Sequence, residues 1–326
     1  MDVLTVGGVT IDAFLQIDKS KDVIRLDREK SELRIKSGEK IAVDSCIFSL
    51  GGNACNVAVG LSRLGFQTGI CAEIGIDEFA QKILGGLEKD RIEKDFLIQT
   101  PHTASSFTVA LNVENDRTLF VGRVIRKHDF SLTDVCARWV YLTSLGDEWE
   151  GAYQKSLSLV QNGKKHLVFN PGTPQLAQSY PVIEKLLTYT DILCVNKQEA
   201  QTLLRFYGIE KSDIKDILAQ AKELGPKIIS ITDGLHGAYS IDENGNTWMI
   251  ERFPATVVER TGAGDAYATG FMAAIIEGKD VPEAMRWGSV EGASVIASIG
   301  AQKGLLHKDM LTKTLEKEAS FTAKSL

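Results

Sequence analysis

Short, almost wholly apolar runs alternate with amphipathic stretches of helical length from residue 1 to about residue 300. Strands are expected at 3–6, 68–74, 139–142, 167–169, 192–195 and 227–232, and helices between them at 54–64, 78–88, 152–161 and 213–224. An antiparallel sheet wetted on one face would alternate apolar and polar residues along each strand. These runs do not, so they predict an α/β fold with a mostly parallel sheet covered on both sides.

The 326 residues suit one large α/β unit with an appendage. With 44% hydrophobic and 25% charged residues, wholesale disorder is excluded. Lys and Arg total 37 against 43 Asp and Glu, a net charge of −6 that argues against nucleic acid or an anionic membrane as partner. No apolar run reaches the roughly 18–20 residues of a bilayer span. The first residues lack a basic segment ahead of an apolar one, so no secretory signal is expected and the location read is cytoplasmic. Cys46, Cys55, Cys71, Cys136 and Cys194 are scattered without a Cys-x-x-Cys pair, which rules against a zinc ribbon or a disulfide framework. Each reads as a small buried apolar residue.

Two stretches break the rhythm. Residues 14–50 hold β-like runs at 14–17, 32–36 and 40–49 with polar turns at 19–21 and 37–39, and no convincing helix. Residues 105–124 read as a hairpin of 107–113 and 118–124 turning through 114–117. They predict a small β-sheet inserted at 14–50 and 105–124 into a core of 1–13, 51–104 and 125–326. That sheet reads as a lid or a dimer surface, with a solvated decoration as the plain alternative. Two long helices, 263–276 and 282–298, are apolar around much of their circumference and should be well buried. The polar tail beyond 311 is expected to fray.

The strongest local signal is Thr261-Gly262-Ala263-Gly264-Asp265 at the opening of the first of those helices. Two glycines free the backbone for close approach of a ligand, and the exposed N–H groups of a first helical turn favour an anion. Asp265 in that turn is either a cap or a base pointing into the anion site. Gly51-Gly52-Asn53-Ala54-Cys55-Asn56 precedes another amphipathic helix, which ends at Arg63-Leu64-Gly65, and Asn56 offers both a donor and an acceptor. There is no Walker-type Gly-x-x-x-x-Gly-Lys, no Gly-x-Gly-x-x-Gly after the first strand, no His-Glu-x-x-His and no Gly-x-Ser-x-Gly. P-loop, dinucleotide, zinc-protease and serine-hydrolase readings fail on those grounds.

Across residues 1 to about 306, the two glycine motifs and the landmarks between them resemble the PfkB carbohydrate kinases, the ribokinase family. The landmarks are Val6-Gly7-Gly8 with Asp12, Asn170-Pro171-Gly172, Asn196 through Glu199, Thr232-Asp233-Gly234 with Gly237, and Ile299-Gly300-Ala301. The resemblance implies a three-layer α/β/α sandwich of about nine strands with a small β lid, ATP and Mg2+ as cofactors, and a sugar or nucleoside as acceptor. Asp265 would take the proton from the acceptor hydroxyl, and the amides of Gly262, Ala263 and Gly264 would form the anion hole. Asp12, at the end of the first strand, would bind the acceptor together with Gly51, Gly52 and Asn56. Asn196, Glu199, Thr232, Gly234 and Gly237 would hold the nucleotide, with Glu199 reaching Mg2+ through water and adenine lying near 289–293. Asn196 and Glu199 also read as a helix N-cap with its capping-box partner. The lid would close over the sugar and can form a homodimer contact.

Three departures from the family pattern involve four residues. Asn53 replaces the Lys of ribokinase proper, Thr10 stands where a sugar-contacting Asn is common, and Glu259-Arg260 replaces Asp-Thr. The first two argue against assuming ribose as the acceptor, and the third against assuming a K+ site around Glu259, Thr261 and Gly300. The reading is an ATP-dependent phosphotransferase acting on a hydroxymethyl group of a sugar. A nucleoside kinase of the same family, and a catalytically silent sugar- or nucleotide-binding regulator, remain alternatives.

Overall fold

The computed structural model describes residues 1–17, 24–27, 29–30, 32–113, 116–122, 124–162, 165–176 and 181–326; the expected turn at 19–21 and positions 114–115 of the hairpin turn lie outside them. The chain begins with β1 (Val3–Val6), β2 (Thr10–Gln16), β3 (Ile24–Asp27), β4 (Glu32–Ile35), β5 (Ser45–Gly51), α1 (Asn53–Arg63), β6 (Thr68–Ile74), α2 (Glu78–Lys89) and β7 (Leu97–Gln99). It continues through β8 (Phe107–Val113), β9 (Asp116–Val121), β10 (Trp139–Thr143), α3 (Glu150–Asn162), β11 (His166–Asn170), α4 (Pro181–Thr188), β12 (Ile192–Asn196) and α5 (Lys197–Arg205). The last part holds α6 (Ile214–Glu223), β13 (Ile228–Thr232), β14 (Ala238–Ile241), β15 (Thr247–Ile250), α7 (Ala263–Ile276), α8 (Val281–Ile296), α9 (Lys308–Lys317) and β16 (Lys324–Ser325).

Ten strands form the main sheet in the order β16-β15-β14-β13-β12-β11-β10-β1-β6-β7. From β13 to β7 the pairings are parallel, while β14, β15 and β16 add on antiparallel. The parallel strands are buried along their length, β1 on all four residues and β10 at Val140, Tyr141, Leu142 and Thr143. Burial on both faces is what a parallel sheet between helical layers requires. One core lies on the side of α3 to α6, with Leu157, Leu186 and Leu218 at 1% exposure or less. The other packs α1, α7 and α8 on the opposite face around Leu61, Phe271 and Met285. α7 buries nine consecutive residues from Ala266 to Ala274, as an all-round apolar helix must.

A second sheet, β5-β2-β8-β9, stands apart from the first, with β2 and β8 parallel and the outer pairs antiparallel. β3 and β4 form a separate hairpin. Asp12 therefore does not end the first strand of the main sheet; it sits inside β2, paired with Ser49 and Thr108. The tail also differs from expectation. Leu311 and Leu315, one helical turn apart, anchor α9 at 0% and 8% exposure, and β16 pairs with β15 to complete the main sheet. Among the described residues no helix is long and apolar enough to cross a membrane.

Candidate active site

The anion-binding motif opens α7. Gly262 caps the helix in the left-handed region (φ 79°), and a Cβ there would lie 2.4 Å from the Ala301 Cβ, so only glycine fits. Asp265 makes no capping bond; its Oδ2 accepts from the Asn56 amide at 2.7 Å. The plain reading of Asp265 as a cap is thereby removed. The Ala263 N–H donates weakly to the Arg260 carbonyl at 3.3 Å, so one of the three amides expected to face an anion is already partly engaged. Burial pushes the Asp265 carboxyl up to about 7, the Asn56 hydrogen bond opposes the rise, and the charges of Glu199 and Asp12 add to it.

Asn56 lies in the first turn of α1, which follows directly on β5 and Gly52. Gln302 donates to its Oδ1 at 3.1 Å, so both ends of the amide are fixed and its NH2 must point to Asp265. Asp12 is 6% exposed and accepts from the Thr10 hydroxyl at 2.8 Å. Burial raises its carboxyl, against hydrogen bonds from Thr10 and Thr108, with the charge of Glu259 adding to the rise. A Cβ on Gly51 would lie 1.9 Å from the Asp12 Oδ2, so the carboxylate rests directly on that backbone. The predicted acceptor residues thus form one connected group with Asp265.

The predicted nucleotide residues gather along a neighbouring edge. Asn196 and Thr232 are register partners at the carboxyl ends of β12 and β13. A single turn of 3-10 helix spans Gly234–His236, and Gly237 closes the loop by accepting from the Asp233 N–H at 2.9 Å. Asn196 and Glu199 form a reciprocal capping box, both bonds at 2.9 Å, and burial raises the Glu199 carboxyl against the hydrogen bonds from Asn196. The capping role is present, and the Glu199 charge lies near enough to add to the rise of the Asp265 carboxyl. Residues 289–293 lie on α8, where Gly292 packs toward the Ala263 carbonyl.

Glu259 and Thr261 meet beside the anion site, whereas Gly300 faces Ser49 and Phe14 of the small sheet. Oε1 of Glu259 accepts from the Thr261 N–H at 2.9 Å and its hydroxyl at 2.6 Å. The small sheet reaches into this loop: Arg117 of β9 donates to the same oxygen at 2.8 Å and to the Thr261 hydroxyl. Arg117 was not legible in the sequence, because its partners lie more than 140 residues away and no local spacing marks it.

A cavity of about 450 Å³ opens beyond the carboxyl ends of β1, β6 and β10, between Gly8, Gly52 and Asn53 on one side and Glu73, Arg126 and His128 on the other. Thr10 lines it too, which places Asp12 one hydrogen bond behind its wall. Glu73, Arg126 and His128 also escaped the sequence reading. The basic run 123–128 is the only local trace of Arg126 and His128 and looks like any solvated loop, and Glu73 leaves none.

Residues 18–308 match the model of the pfkB family carbohydrate kinases. A 5-dehydro-2-deoxygluconokinase of Clostridium perfringens is 23% identical over 82% of this chain and 84% of its own length. Two solved structures superimpose over nearly the whole chain. The nucleoside kinase of Methanocaldococcus jannaschii, a ribokinase-family member, gives a TM-score of 0.77 at 21% identity over 98% of this chain and 99% of its own. Arabidopsis thaliana ribokinase complexed with ribose and ATP gives 0.78 at 19% identity over 97% and 98%. At such identities the superpositions establish the fold, a ribokinase-like sandwich with a small sheet beside it. The family rests on the sequence match over most of the chain: this protein belongs to the pfkB family of carbohydrate kinases.

Proposed function

We propose that the chain transfers the γ-phosphoryl group of ATP to a hydroxymethyl group of a sugar, with Asp265 as general base. The observation that carries this is the state of Asp265: non-capping, held at Oδ2 by Asn56 and raised to about 7, the range in which a carboxylate can both accept and give up a proton at neutral pH. Oδ1 is then the atom that takes the acceptor proton. As it does so the acceptor oxygen bonds to the γ-phosphorus, the bond to the β-phosphate oxygen breaks, and ADP leaves. The amides of Gly262 and Gly264, with that of Ala263 once it leaves the Arg260 carbonyl, receive the charge that spreads over the phosphoryl oxygens. Asp12 and Asn56 orient the acceptor.

Asn196, Thr232, Gly234 and Gly237 hold the phosphates of the nucleotide on this reading, and the reported Arabidopsis complex with ATP supports ATP as donor. Among the described residues no three His, Cys, Asp or Glu side chains cluster into a protein cage for a metal. Glu199, with one carboxylate oxygen engaged in its capping box, is suited to holding Mg2+ through water rather than directly. When bound, the ion would neutralise phosphate oxygens. Arg117 already meets the Glu259 charge, so a K+ ion is not needed to balance that oxygen.

The small sheet serves as lid and as homodimer contact. Phe48 and Phe120, each 52% exposed, fall in one cross-strand row with Ala13 and Val109, an apolar surface with area still to bury.

The test is ADP release with a panel of sugars and nucleosides, for wild type and Asp265→Asn. Release that depends on a sugar and falls by about 100–10,000-fold in the variant is expected. Equal release by the variant would remove the base, a response to nucleosides alone would move the acceptor class, and no release with any acceptor would favour a silent binding protein.

A further inference from the structure

The consecutive residues Gly300, Ala301 and Gln302, between α8 and α9, serve different partners. Gly300 faces the small sheet, Ala301 packs against Gly262 of the anion motif, and Gln302 donates to Asn56. Ala301 and Gln302 are 1% and 7% exposed. Asn56 by itself does not decide which way its amide faces, because the two ends are nearly the same size. With the NH2 toward Asp265 it donates to the carboxylate and favours the ionised form; with Oδ1 there it can accept only from the protonated form. The choice is made at the other end. Nε2 of Gln302 reaches the Asn56 Oδ1 at 3.1 Å and the Cys55 Sγ at 3.4 Å. Burial pushes the Cys55 thiol up to about 12, so it stays neutral and brings no charge to this contact.

Gln302 is itself held from behind. Asn56 and Arg63 both belong to α1, two turns apart along one face. Nη1 of Arg63 donates to the Gln302 carbonyl at 2.6 Å and, at the longer distance of 3.4 Å, to the Leu305 carbonyl. Its Nε and Nη2 form a bidentate pair with the Asp90 carboxylate, at 2.8 and 3.2 Å. The side chains of that pair are 16% and 14% exposed, so water competes little for the fork. One face of α1 therefore grips a single residue twice, by its carbonyl through Arg63 and by its side chain through Asn56.

We infer that Gln302 is a positioning residue of the transfer reaction: held by Arg63, it keeps the Asn56 NH2 on Asp265 and so keeps the base aimed and able to ionise. This rests on the kinase reading above and adds to it a residue that acts through another. The other groups around Asp265 do not replace it. Glu199 and Asp12 raise the carboxyl, Tyr141 and Cys55 face it uncharged, and the Asn56 bond alone favours the ionised form. Glu291 of α8, pushed up to about 8 by burial, feels the Arg63 charge but accepts from the Leu306 N–H at 3.2 Å, so it meets the loop beyond Gln302.

The test is Gln302→Met, which keeps the length of the side chain and removes its donor. The readouts are the pH dependence of kcat/KM and the titration of the Asp265 carboxyl carbon by NMR in aspartate-labelled protein, its signal identified by its loss in Asp265→Asn. Without the donor the Asn56 amide can turn and the ionised carboxylate loses its hydrogen bond, so both titrations should move up by about one pH unit. The rate should then fall about tenfold at pH 6 and less than about threefold at pH 9. Asn56→Leu should show the same upward shift, and Gln302→Met added to it should move the titration no further, because the two residues act in series. Arg63→Lys should shift it the same way by less, which keeps the test valid if Gln302→Met does not fold. An Asp265 titration left unmoved by Gln302→Met, or one that Gln302→Met shifts as far in the Asn56→Leu background as in wild type, would overturn the proposal. A shifted titration in a protein that releases no ADP with any acceptor would keep the clamp on Asp265 and overturn the kinase.

Discussion

Compare the strands on either side of the cleft. β1, which leads to the Gly7-Gly8 end of the cavity, is buried on every residue, whereas four of the seven residues of β5, which leads to Gly51, are exposed. Around Asp265 nearly every contact is fixed from behind: α7 is buried over nine consecutive residues, and Asn56 is pinned at both ends. The small sheet has only a thin core, in which Ile17, Leu111 and Val113 pack with Ile24 of the β3–β4 hairpin, and is tied to the anion-site loop through Arg117. The difference teaches a division of labour. On the proposed function, the chemistry common to phosphoryl transfer would sit where packing leaves no freedom, and acceptor choice and closure where the structure can still adjust.

Breaking the rigid side should have the largest effect. Gly262→Val forces a Cβ to within 2.4 Å of the Ala301 Cβ at a φ of 79°. A cost of about 2–4 kcal/mol, read by urea unfolding, is expected, with activity falling at least about 100-fold.

Asp265→Asn should instead stabilise. The folded carboxyl titrates near 7 against an ordinary value of 3.8, so the native state holds its proton more tightly than the unfolded chain. Wild-type stability therefore erodes as pH rises from about 4 to about 7 and levels off above that. Asparagine carries no such loss. The variant should match wild type near pH 4 and exceed it by roughly 1–3 kcal/mol near pH 8, measured by urea unfolding at both pH values. A variant less stable than wild type at the higher pH would show that the carboxylate is a structural anchor.

Changes on the lid side should be milder. Arg117→Ala removes the link between β9 and the Glu259 loop, and should lower kcat/KM about tenfold, with Arg117→Lys recovering part of the loss. Phe120→Ser, at 52% exposure, should move monomer stability by less than about 0.5 kcal/mol. The same change should weaken self-association in sedimentation; an unchanged association state would dissociate the apolar row from dimer formation.

Much of the rigid half was legible in the sequence, because its strands are continuous apolar runs and its catalytic turn is local: Gly262, Gly264 and Asp265 fall within four residues. The register that pairs Asn196 with Thr232 follows from strand ends alone. Asp12 was placed on the wrong element because β1 and β2 are only three residues apart, and nothing in Val6-Gly7-Gly8-Val9 announces a change of sheet. The tail was misread because α9 needs only Leu311 and Leu315 to hold it, too few to outweigh the lysines and glutamates around them. Arg117, Arg126 and His128 owe their places to partners distant in the chain, and long-range contact between single charged residues leaves no periodic trace.

The pH dependence of kcat/KM, wild type beside Asp265→Asn, tests the central claim most directly. A base is active when ionised, so the wild-type rate should climb about tenfold per pH unit on the acid side and flatten above about 7, where the Asp265 carboxyl titrates. The variant should be slow and lack that limb. An Asp265→Asn enzyme that keeps both the limb and the rate would show that the proton goes elsewhere.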